Sequence, residues 1–417
     1  MAHQKNEGMM NERCKKGMSL KFPEFPQAEY ERRLSEIQRH LQENQIDALL
    51  VTSKENFRYI TGFYTERWLN LSRPRICWLP KEGQPILVVS DADETDARAT
   101  SWIEDIRSYA GWAAEGPNIF DMPQIELNGA MQQTLIEAAR SLSLDKGKRI
   151  GLELGGNMRW GLTLWAFREL QETLSAIDWV DAAGVLWECR LIKSNLEVEY
   201  TRQAVKALDG AFPALFQEVS RGMTEVDVAR RLRRHIMDNG ADSPGYVTVS
   251  ADVSNALRGA PTTRKLSPGD MVYCDGGAFV SGYCADYCRF ASVGEPSDTQ
   301  KRAYKVLINA LDAGLAAVRP GVKAGDVARR VNTAFEEGGA KIGKLGRHGH
   351  GIGLEQPEPP NIQLEDPTVL RPGMILCIEP NMYYPGVGYL VAEEEVVVTE
   401  DGCEVLSVRT PREPISL

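Results

Sequence analysis

"DMVYCDGGAFVSGYCADYCRF", residues 270–290, contains two apolar runs separated by a short break, a pattern typical of a β-hairpin. Each run carries one acid, Asp275 in the first and Asp286 in the second. With a tight turn centred between Val280 and Ser281, the two aspartates would lie directly opposite each other, with Cβ atoms about 5 Å apart. The stretch therefore predicts a strand pair that holds two carboxylates together.

A second hairpin pattern, "GMILCIEPNMYYPGVGYLVAEEEVVV", occupies residues 373–398. Glu379 and Glu393 are symmetric about Gly386, which lies inside the turn-forming sequence "PGVG". We expect these acids to be opposed as well, although longer loops can shift the register of a hairpin.

Two interpretations of the acid pairs are open. Like charges directly across a ladder destabilise a hairpin, so the registers could differ and the acids could face solvent on edge strands. Alternatively, cations held between the pairs remove the repulsion and explain both pairs at once. Four carboxylates with one imidazole, that of His350, form a ligand set suited to two divalent ions such as Mn, Fe, Co or Zn. Two such ions can activate a water molecule near neutral pH.

The loop "HGHGIGLEQPEPP" (His348–Pro360) carries two of the five histidines of the chain. His350 is the predicted metal ligand. One interpretation is that His348 donates a hydrogen bond to a metal ligand or contacts the substrate. The other is that it is a loop histidine bonded to backbone. Glu358 either orients a metal ligand or transfers protons, or else it is a solvent-facing acid in a proline-rich loop.

The order of these residues, the spacing of 11 between the aspartates, and the flanking sequences "GHGIG" and "RPGMILCIEP" resemble the pita-bread metalloenzymes of peptidase family M24. That superfamily includes methionine aminopeptidase, aminopeptidase P, prolidase and creatinase. The resemblance implies two divalent metal ions. It also implies five ligands, which are Asp275, Asp286, His350, Glu379 and Glu393.

Two further stretches extend the resemblance over nearly the whole chain. "NFRYITGF" (Asn56–Phe63) resembles the opening of the creatinase-type N-terminal domain, and "RLIKSNLEVEYTRQA" (Arg190–Ala204) resembles its junction with the catalytic domain. The expected fold is an α/β creatinase-like N-terminal domain followed by an α+β pita-bread catalytic domain.

The chain departs from the proline peptidases at two positions. Aminopeptidase P and prolidase carry two further histidines that contact substrate, and Pro357 and Arg258 stand in their places here. Arg258 has a permanently charged, forked side chain, which suits it to binding a substrate carboxylate. The alternative is that it is an ordinary surface arginine.

Element patterns divide the chain into three parts. Residues 1–23 are expected to be a disordered tail. Strand patterns such as "DALLVTS" (Asp47–Ser53) alternate with helical stretches over residues 24–188, which indicates an α/β domain. Ser194 and Glu197 then form a capping-box pattern at the start of a long helix, and helices and hairpins follow over residues 189–417.

Composition narrows the classes of partner. The formal net charge of -10 argues against nucleic acid or an anionic membrane surface. No apolar run reaches the roughly 18 residues of a membrane span, and residues 1–20 lack the apolar core of a signal peptide. Eight scattered cysteines without a CxxC pattern are expected to be reduced thiols, so the predicted location is the cytoplasm.

The leading hypothesis is a dinuclear metallohydrolase, a homodimer, that cleaves a C–N bond in a small, carboxylate-bearing amide or Xaa-Pro-type peptide. Glu379 would take a proton from the attacking water and pass it to the leaving nitrogen. A second hypothesis is a metal-dependent lyase acting on a small carboxylate, similar to dimethylsulfoniopropionate lyase. A third is a non-catalytic binding protein on the same fold.

Overall fold

A computed structural model describes residues 21–69, 73–111, 124–254 and 259–417. The chain divides into two compact units, Met1–Cys189 and Arg190–Leu417. None of the helices in the described ranges combines the length and the apolar content that crossing a lipid bilayer requires.

Unit 1 alternates helices and strands. In chain order its elements are α1 (Gln27–Glu43), β1 (Ala48–Val51), α2 (Lys54–Thr61), a 3-10 helix (Glu66–Leu69), β2 (Ile76–Pro80), β3 (Ile86–Ser90), α3 (Asp91–Thr100), β4 (Ile106–Tyr109), α4 (Gln124–Ser141), β5 (Arg149–Leu152), α5 (Leu164–Thr173), β6 (Asp178–Asp181) and α6 (Ala183–Leu191). The strands form one six-stranded sheet in the order β4-β3-β2-β1-β5-β6.

The central strand β1 is antiparallel to β2 and parallel to β5. Every residue of its sequence "ALLV" is buried, as expected for a strand that is covered on both faces. Leu50 pairs with Trp78 across the strands, and both pack with Leu135 of α4 in one apolar core. The predicted α/β architecture of this region is confirmed.

Glycine ends α2 within the stretch "NFRYITGF". Gly62 adopts a φ of 70°, a left-handed conformation that favours glycine, and its amide donates to the carbonyl of Arg58. A Cβ at this position would come within 2.6 Å of the Tyr30 hydroxyl. Both the backbone conformation and the close packing therefore require glycine here.

The described residues of unit 2 form four long helices and both short and long strands. Its elements are α7 (Asn195–Glu218), α8 (Glu225–Asp238), β7 (Ser243–Ser250), β8 (Met271–Val280), β9 (Tyr283–Ser292), α9 (Asp298–Ala317), α10 (Ala324–Glu337), β10 (Lys341–Ile342), β11 (Gly349–Gly351), β12 (Glu358–Asn361), β13 (Ile375–Ile378), β14 (Asn381–Tyr384), β15 (Gly388–Val391), β16 (Glu394–Val398), β17 (Cys403–Val405) and β18 (Ile415–Ser416). The sheets have the orders β18-β9-β8-β7, β12-β11-β13-β16-β17 and β10-β14-β15.

Two pairs of helices bury the apolar faces of these sheets. Helices α7 and α8 share a core with the first sheet, and α9 and α10 share a core with strand β13. The capping box predicted at the start of α7 is confirmed: the Ser194 amide donates to Glu197 Oε2 at 2.9 Å, and the Glu197 amide donates to Ser194 Oγ at 3.3 Å. These helices hold the strands on which the acids lie.

The register predicted for the first hairpin is wrong by two residues. Asp275 pairs with Cys288, and Asp286 pairs with Gly277. The turn consists of Ser281 and Gly282, which have φ values of 47° and 81°, so its centre lies one residue later than predicted. Because side chains alternate with a period of two, both aspartates still lie on one face, as diagonal neighbours rather than as a directly opposed pair.

The register predicted for the second hairpin is confirmed. Asn381 pairs with Val391 on one side of the two glutamates, and Ile378 pairs with Glu394 on the other. The same register on both sides places Glu379 opposite Glu393, in the gap between two ladders of backbone hydrogen bonds.

Candidate metal centre

Two strand pairs and one hydrogen bond between sheets bring the predicted ligands together within unit 2. His350 in β11 pairs with Cys377 in β13, directly before Glu379. Strand β13 pairs in turn with β16, which follows Glu393. The amide of Asp286 donates to Glu395 Oε2 at 3.0 Å, which connects β9 to the same sheet. Long-range strand pairing therefore builds this cluster.

His350 faces the acids with one ring nitrogen. Its Nδ1 lies 2.9 Å from the carbonyl of Gly351, so this nitrogen carries the proton and donates it. The Nε2 atom lies 3.5 Å from Asp286 Oδ2, on the side of the ring that faces the acids. An imidazole whose Nδ1 proton is bound by a carbonyl can offer its Nε2 to a metal.

A compact group of potential ligands surrounds His350. One ligand atom from each of Asp286, His350, Cys377 and Glu393 lies within 4.8 Å of the others. The Cys377 thiol donates to the carbonyl oxygen of Asp286 at 3.4 Å, and burial raises its pKa well above the ordinary value. Cys377 is thus hydrogen-bonded to backbone as a packed thiol, and the carboxylates and the imidazole are the candidate metal ligands.

Burial and mutual repulsion dominate the electrostatics of the acids. Burial, followed by the charge of Asp286, raises the pKa of both Asp275 and Glu393 well above the usual range. Burial also raises the pKa of Glu379 to about 7, against the opposing effect of His350. Glu379 is partly exposed, whereas the other three acids are buried.

These acids fit divalent metal ions. Asp275 Oδ1 and Glu393 Oε1 are buried and have no hydrogen-bond partner among the residues that the structure describes. Buried carboxylates normally persist only where a counter-charge or metal compensates them. Oxygen ligands with one imidazole are the donor set that ions such as Mn, Fe, Co or Zn accept.

Two tyrosines complete the surroundings of the aspartates, and sequence reasoning missed both. The Tyr246 hydroxyl lies 2.7 Å from Asp275 Oδ2 and 3.0 Å from Asp286 Oδ1, so it bridges the two carboxylates. The Tyr273 hydroxyl donates to Asp275 Oδ2 at 2.8 Å. Tyr273 could have been found, because it precedes Asp275 by two residues on the same strand face.

His348 makes the contacts of a packed structural residue. Its Nε2 lies 2.6 Å from Asn332 Oδ1 of α10, and its ring packs against Phe335. Burial lowers the pKa of His348 to about 4, so the ring is neutral near pH 7. The sequence left open a side chain bonded to backbone; in the structure the side chain bonds to an asparagine instead.

Glu358 does not face solvent, so that alternative is wrong: the residue is 3% exposed. Its carboxylate accepts hydrogen bonds from Arg190 and from Lys193, the latter at 2.9 Å. Burial alone would raise the pKa of Glu358, but the two cations lower it to about 2. The group therefore stays ionised near neutral pH, which argues against a role in proton transfer.

The backbone of the loop after His350 also binds Glu358. The amides of Leu354 and Glu355 both donate to its Oε1 atom, at 2.9 and 3.2 Å. These bonds tie the segment after His350 into a buried ionic network. Arg258, the predicted substrate contact, lies outside the described residues.

Comparison with known proteins identifies the class to which this fold and site belong. The model of the Creatinase/Prolidase N-terminal domain matches residues 33–192, and that of Metallopeptidase family M24 matches residues 199–400. The chain is an enzyme with a creatinase-type N-terminal domain and a pita-bread catalytic domain.

Full-length relatives agree with both matches. Uncharacterized peptidase YqhT of Bacillus subtilis (strain 168) is 30% identical over 376 residues, which cover 89% of this chain and 96% of that protein. The Xaa-Pro dipeptidase of Pyrococcus horikoshii is 27% identical over 379 residues, covering 90% and 96%. The chain belongs to metallopeptidase family M24.

Solved structures show the same architecture. Dipeptidase PepE from Mycobacterium ulcerans is 26% identical, with a TM-score of 0.76 over 94% of this chain and 99% of that one. The prolidase from Pyrococcus horikoshii OT3 is 25% identical, with a TM-score of 0.76 over 92% of this chain and 100% of that one.

Proposed function

We propose that the protein is a dinuclear metal-dependent peptidase that cleaves the C–N bond of a small, carboxylate-bearing substrate of the Xaa-Pro type. The observation that carries the proposal is that Asp286, Glu393 and His350 lie together in unit 2 and that the charges of Asp275 and Glu379 act on the same group, with carboxylate oxygens that lack partners within the described chain. The relatives whose names specify Xaa-Pro dipeptidase or prolidase support the substrate class.

Five residues would hold the metals: Asp275, Asp286, His350, Glu379 and Glu393. Divalent ions bound there would polarise the scissile carbonyl and make a water molecule more acidic. Tyr246 and Tyr273 would fix the orientation of the aspartates, because their hydroxyls already bond to the carboxylates.

Proton transfer is proposed for Glu379. It is the partly exposed acid of the cluster, so it can reach a water molecule and a substrate that enter from solvent. It would accept a proton from the attacking water and deliver it to the leaving nitrogen. Glu358, with a pKa of about 2, is held by its cations and would instead keep the adjacent loop in place.

Selectivity for an anionic substrate is proposed to come from arginine. Arg258 stands where the proline peptidases have a histidine, and its guanidinium can pair with a carboxylate through two hydrogen bonds. Arg347 also places positive charge near Glu379, where it lowers the pKa of that acid.

The decisive experiment is hydrolysis of a defined panel after metal loading. Protein stripped of metal and reloaded with Mn, Co, Fe or Zn would be incubated with Xaa-Pro dipeptides, with dipeptides lacking proline, and with Xaa-Pro amides lacking the carboxylate. We expect release of free amine from the carboxylate-bearing Xaa-Pro substrates.

Two single variants, each replacing one carboxylate by an amide, form a matched pair. Glu379→Gln is expected to abolish amine release, whereas Glu404→Gln, at an exposed ion pair with Arg202, should retain it. Absence of amine from the whole panel in fully metal-loaded parent protein would overturn the proposed activity.

A further inference from the structure

A second cluster of metal-ligating side chains lies in unit 1. Glu36 and His40 are four residues apart on α1, so their side chains share one face of the helix. Cys189 of α6 joins them, and one ligand atom from each of the three residues lies within 4.8 Å of the others. The cluster thus combines an oxygen, a nitrogen and a sulfur donor.

Cys189 is the fixed member of this cluster. It is buried, and its carbonyl accepts a hydrogen bond from the Tyr59 hydroxyl at 3.1 Å. Glu36 and His40 are partly exposed, with 29% and 16% of their side-chain surfaces accessible. An ion could therefore enter from solvent, and the two helical ligands could move towards the cysteine.

The present contacts of the helical ligands are made by exposed side chains. Glu36 Oε2 accepts from Arg32 Nη1 at 3.0 Å, and His40 Nε2 lies 2.8 Å from Arg39 Nη2. His40 Nδ1 lies 3.4 Å from Glu43 Oε2. Arg32 and Arg39 are about half exposed, so both can turn into solvent when another cation replaces them.

We propose that Glu36, His40 and Cys189 bind one divalent transition ion of the zinc class. Ligands at 2.0–2.3 Å in a tetrahedral site are about 3.3–3.8 Å apart, so closing the observed cluster requires movements of about 1 Å. A thiolate, an imidazole and a carboxylate together favour zinc over magnesium or calcium. Water would take the fourth position, and the ion would join α1 to α6.

This site is separate from the acid cluster of unit 2 and does not depend on the proposed peptidase activity. Cobalt distinguishes the two, because a thiolate ligand gives cobalt(II) an intense charge-transfer absorption in the near ultraviolet that carboxylate and imidazole ligands do not give. The titration would use Co²⁺ with the Asp286→Asn variant, in which the other site is weakened. We expect one cobalt per chain and the thiolate band.

Cys189→Ser in the same background should lose the band, and Cys403→Ser, which changes a partly buried cysteine of unit 2, should keep it. A band that is absent from the parent, or that persists at full intensity in Cys189→Ser, overturns the proposal.

A second variant covers the case in which Cys189→Ser does not fold. His40→Ala removes a partly exposed side chain and should weaken cobalt binding at this site by at least about ten-fold. Arg39→Gln, which removes the cation beside His40, should bind cobalt at least as tightly as the parent. Equal cobalt affinity in His40→Ala and in the Asp286→Asn protein from which it is made would refute the site. In the chain that retains Asp286, His40→Ala and Arg39→Gln should leave peptidase activity unchanged.

Discussion

Glu358→Gln tests whether the buried ionic network stabilises the catalytic unit. The substitution keeps the shape of the side chain and one acceptor for the amides of Leu354 and Glu355, but it removes the charge that Arg190 and Lys193 face. The lowering of the pKa of Glu358 from 4.5 to about 2 corresponds to about 3 kcal/mol of stabilisation near pH 7. Breaking a buried pair by removing one partner commonly costs about 3–5 kcal/mol, which agrees.

The expected loss is large enough to measure by thermal unfolding. For a unit of this size each kcal/mol shifts Tm by about 2–4 °C, so the transition of unit 2 should fall by roughly 6–12 °C. Glu404→Gln breaks an exposed pair with Arg202, which should cost no more than about 1 kcal/mol. The corresponding shift in Tm is about 2–4 °C at most. A shift in Glu358→Gln no larger than in this control would refute the reasoning.

The pH dependence gives an independent check with a defined sign. Because the pKa of Glu358 is lower in the folded state than its ordinary value of 4.5, the unfolded chain binds this proton more tightly. The stabilisation is therefore complete above pH 4.5 and is lost as the pH falls towards 2. The parent should lose its advantage over Glu358→Gln in that window. If the difference in Tm between the parent and Glu358→Gln stayed the same across that pH window, the assigned ion pairs would be wrong.

Four further outcomes are expected. Asp286→Asn should lose the metal of the unit 2 cluster and its activity while remaining folded, as judged by metal analysis and circular dichroism; full metal occupancy of that cluster would disprove its role as a ligand. Tyr246→Phe should weaken metal binding by about 10–100-fold in competition with a chelator, and unchanged affinity would exclude its orienting role. Arg258→Lys should raise KM by roughly ten-fold or more with little change in kcat, because it keeps the charge but loses the fork; unchanged kinetics would place it outside the substrate pocket. Light scattering at micromolar concentration should show a homodimer, and an active monomer would contradict the proposed assembly.

The acids could be found from the sequence because each pair lies on one hairpin. For Glu379 and Glu393 the turn sequence around Gly386 defines the register, and the structure confirms it. For Asp275 and Asp286, centring the turn midway between the acids puts it one residue too early, so the predicted register differs by two residues. The positive φ values of Ser281 and Gly282 fix the true centre of the turn.

Contacts between distant segments could not be predicted in the same way. Tyr246 lies 29 residues from Asp275, on a strand whose own sequence gives no sign that its hydroxyl meets two carboxylates. Arg190 and Glu358 are separated by 168 residues, and a proline-rich loop containing an acid resembles an exposed turn. Only the pairing of the strands in three dimensions buries that acid against its cations.

Glu358 and the acid cluster show two solutions to one electrostatic problem. Each buries carboxylates, and burial alone raises the pKa of an acid. Within the chain Glu358 has two cations, and its pKa falls to about 2. Asp275 and Glu393 face further acids instead, and their pKa values rise. Buried charge that is not compensated destabilises a fold, and bound divalent cations would supply the counter-charge that the described chain does not give this cluster. The same physical argument thus explains why Glu358 is fixed in place and why we propose that the cluster binds metal.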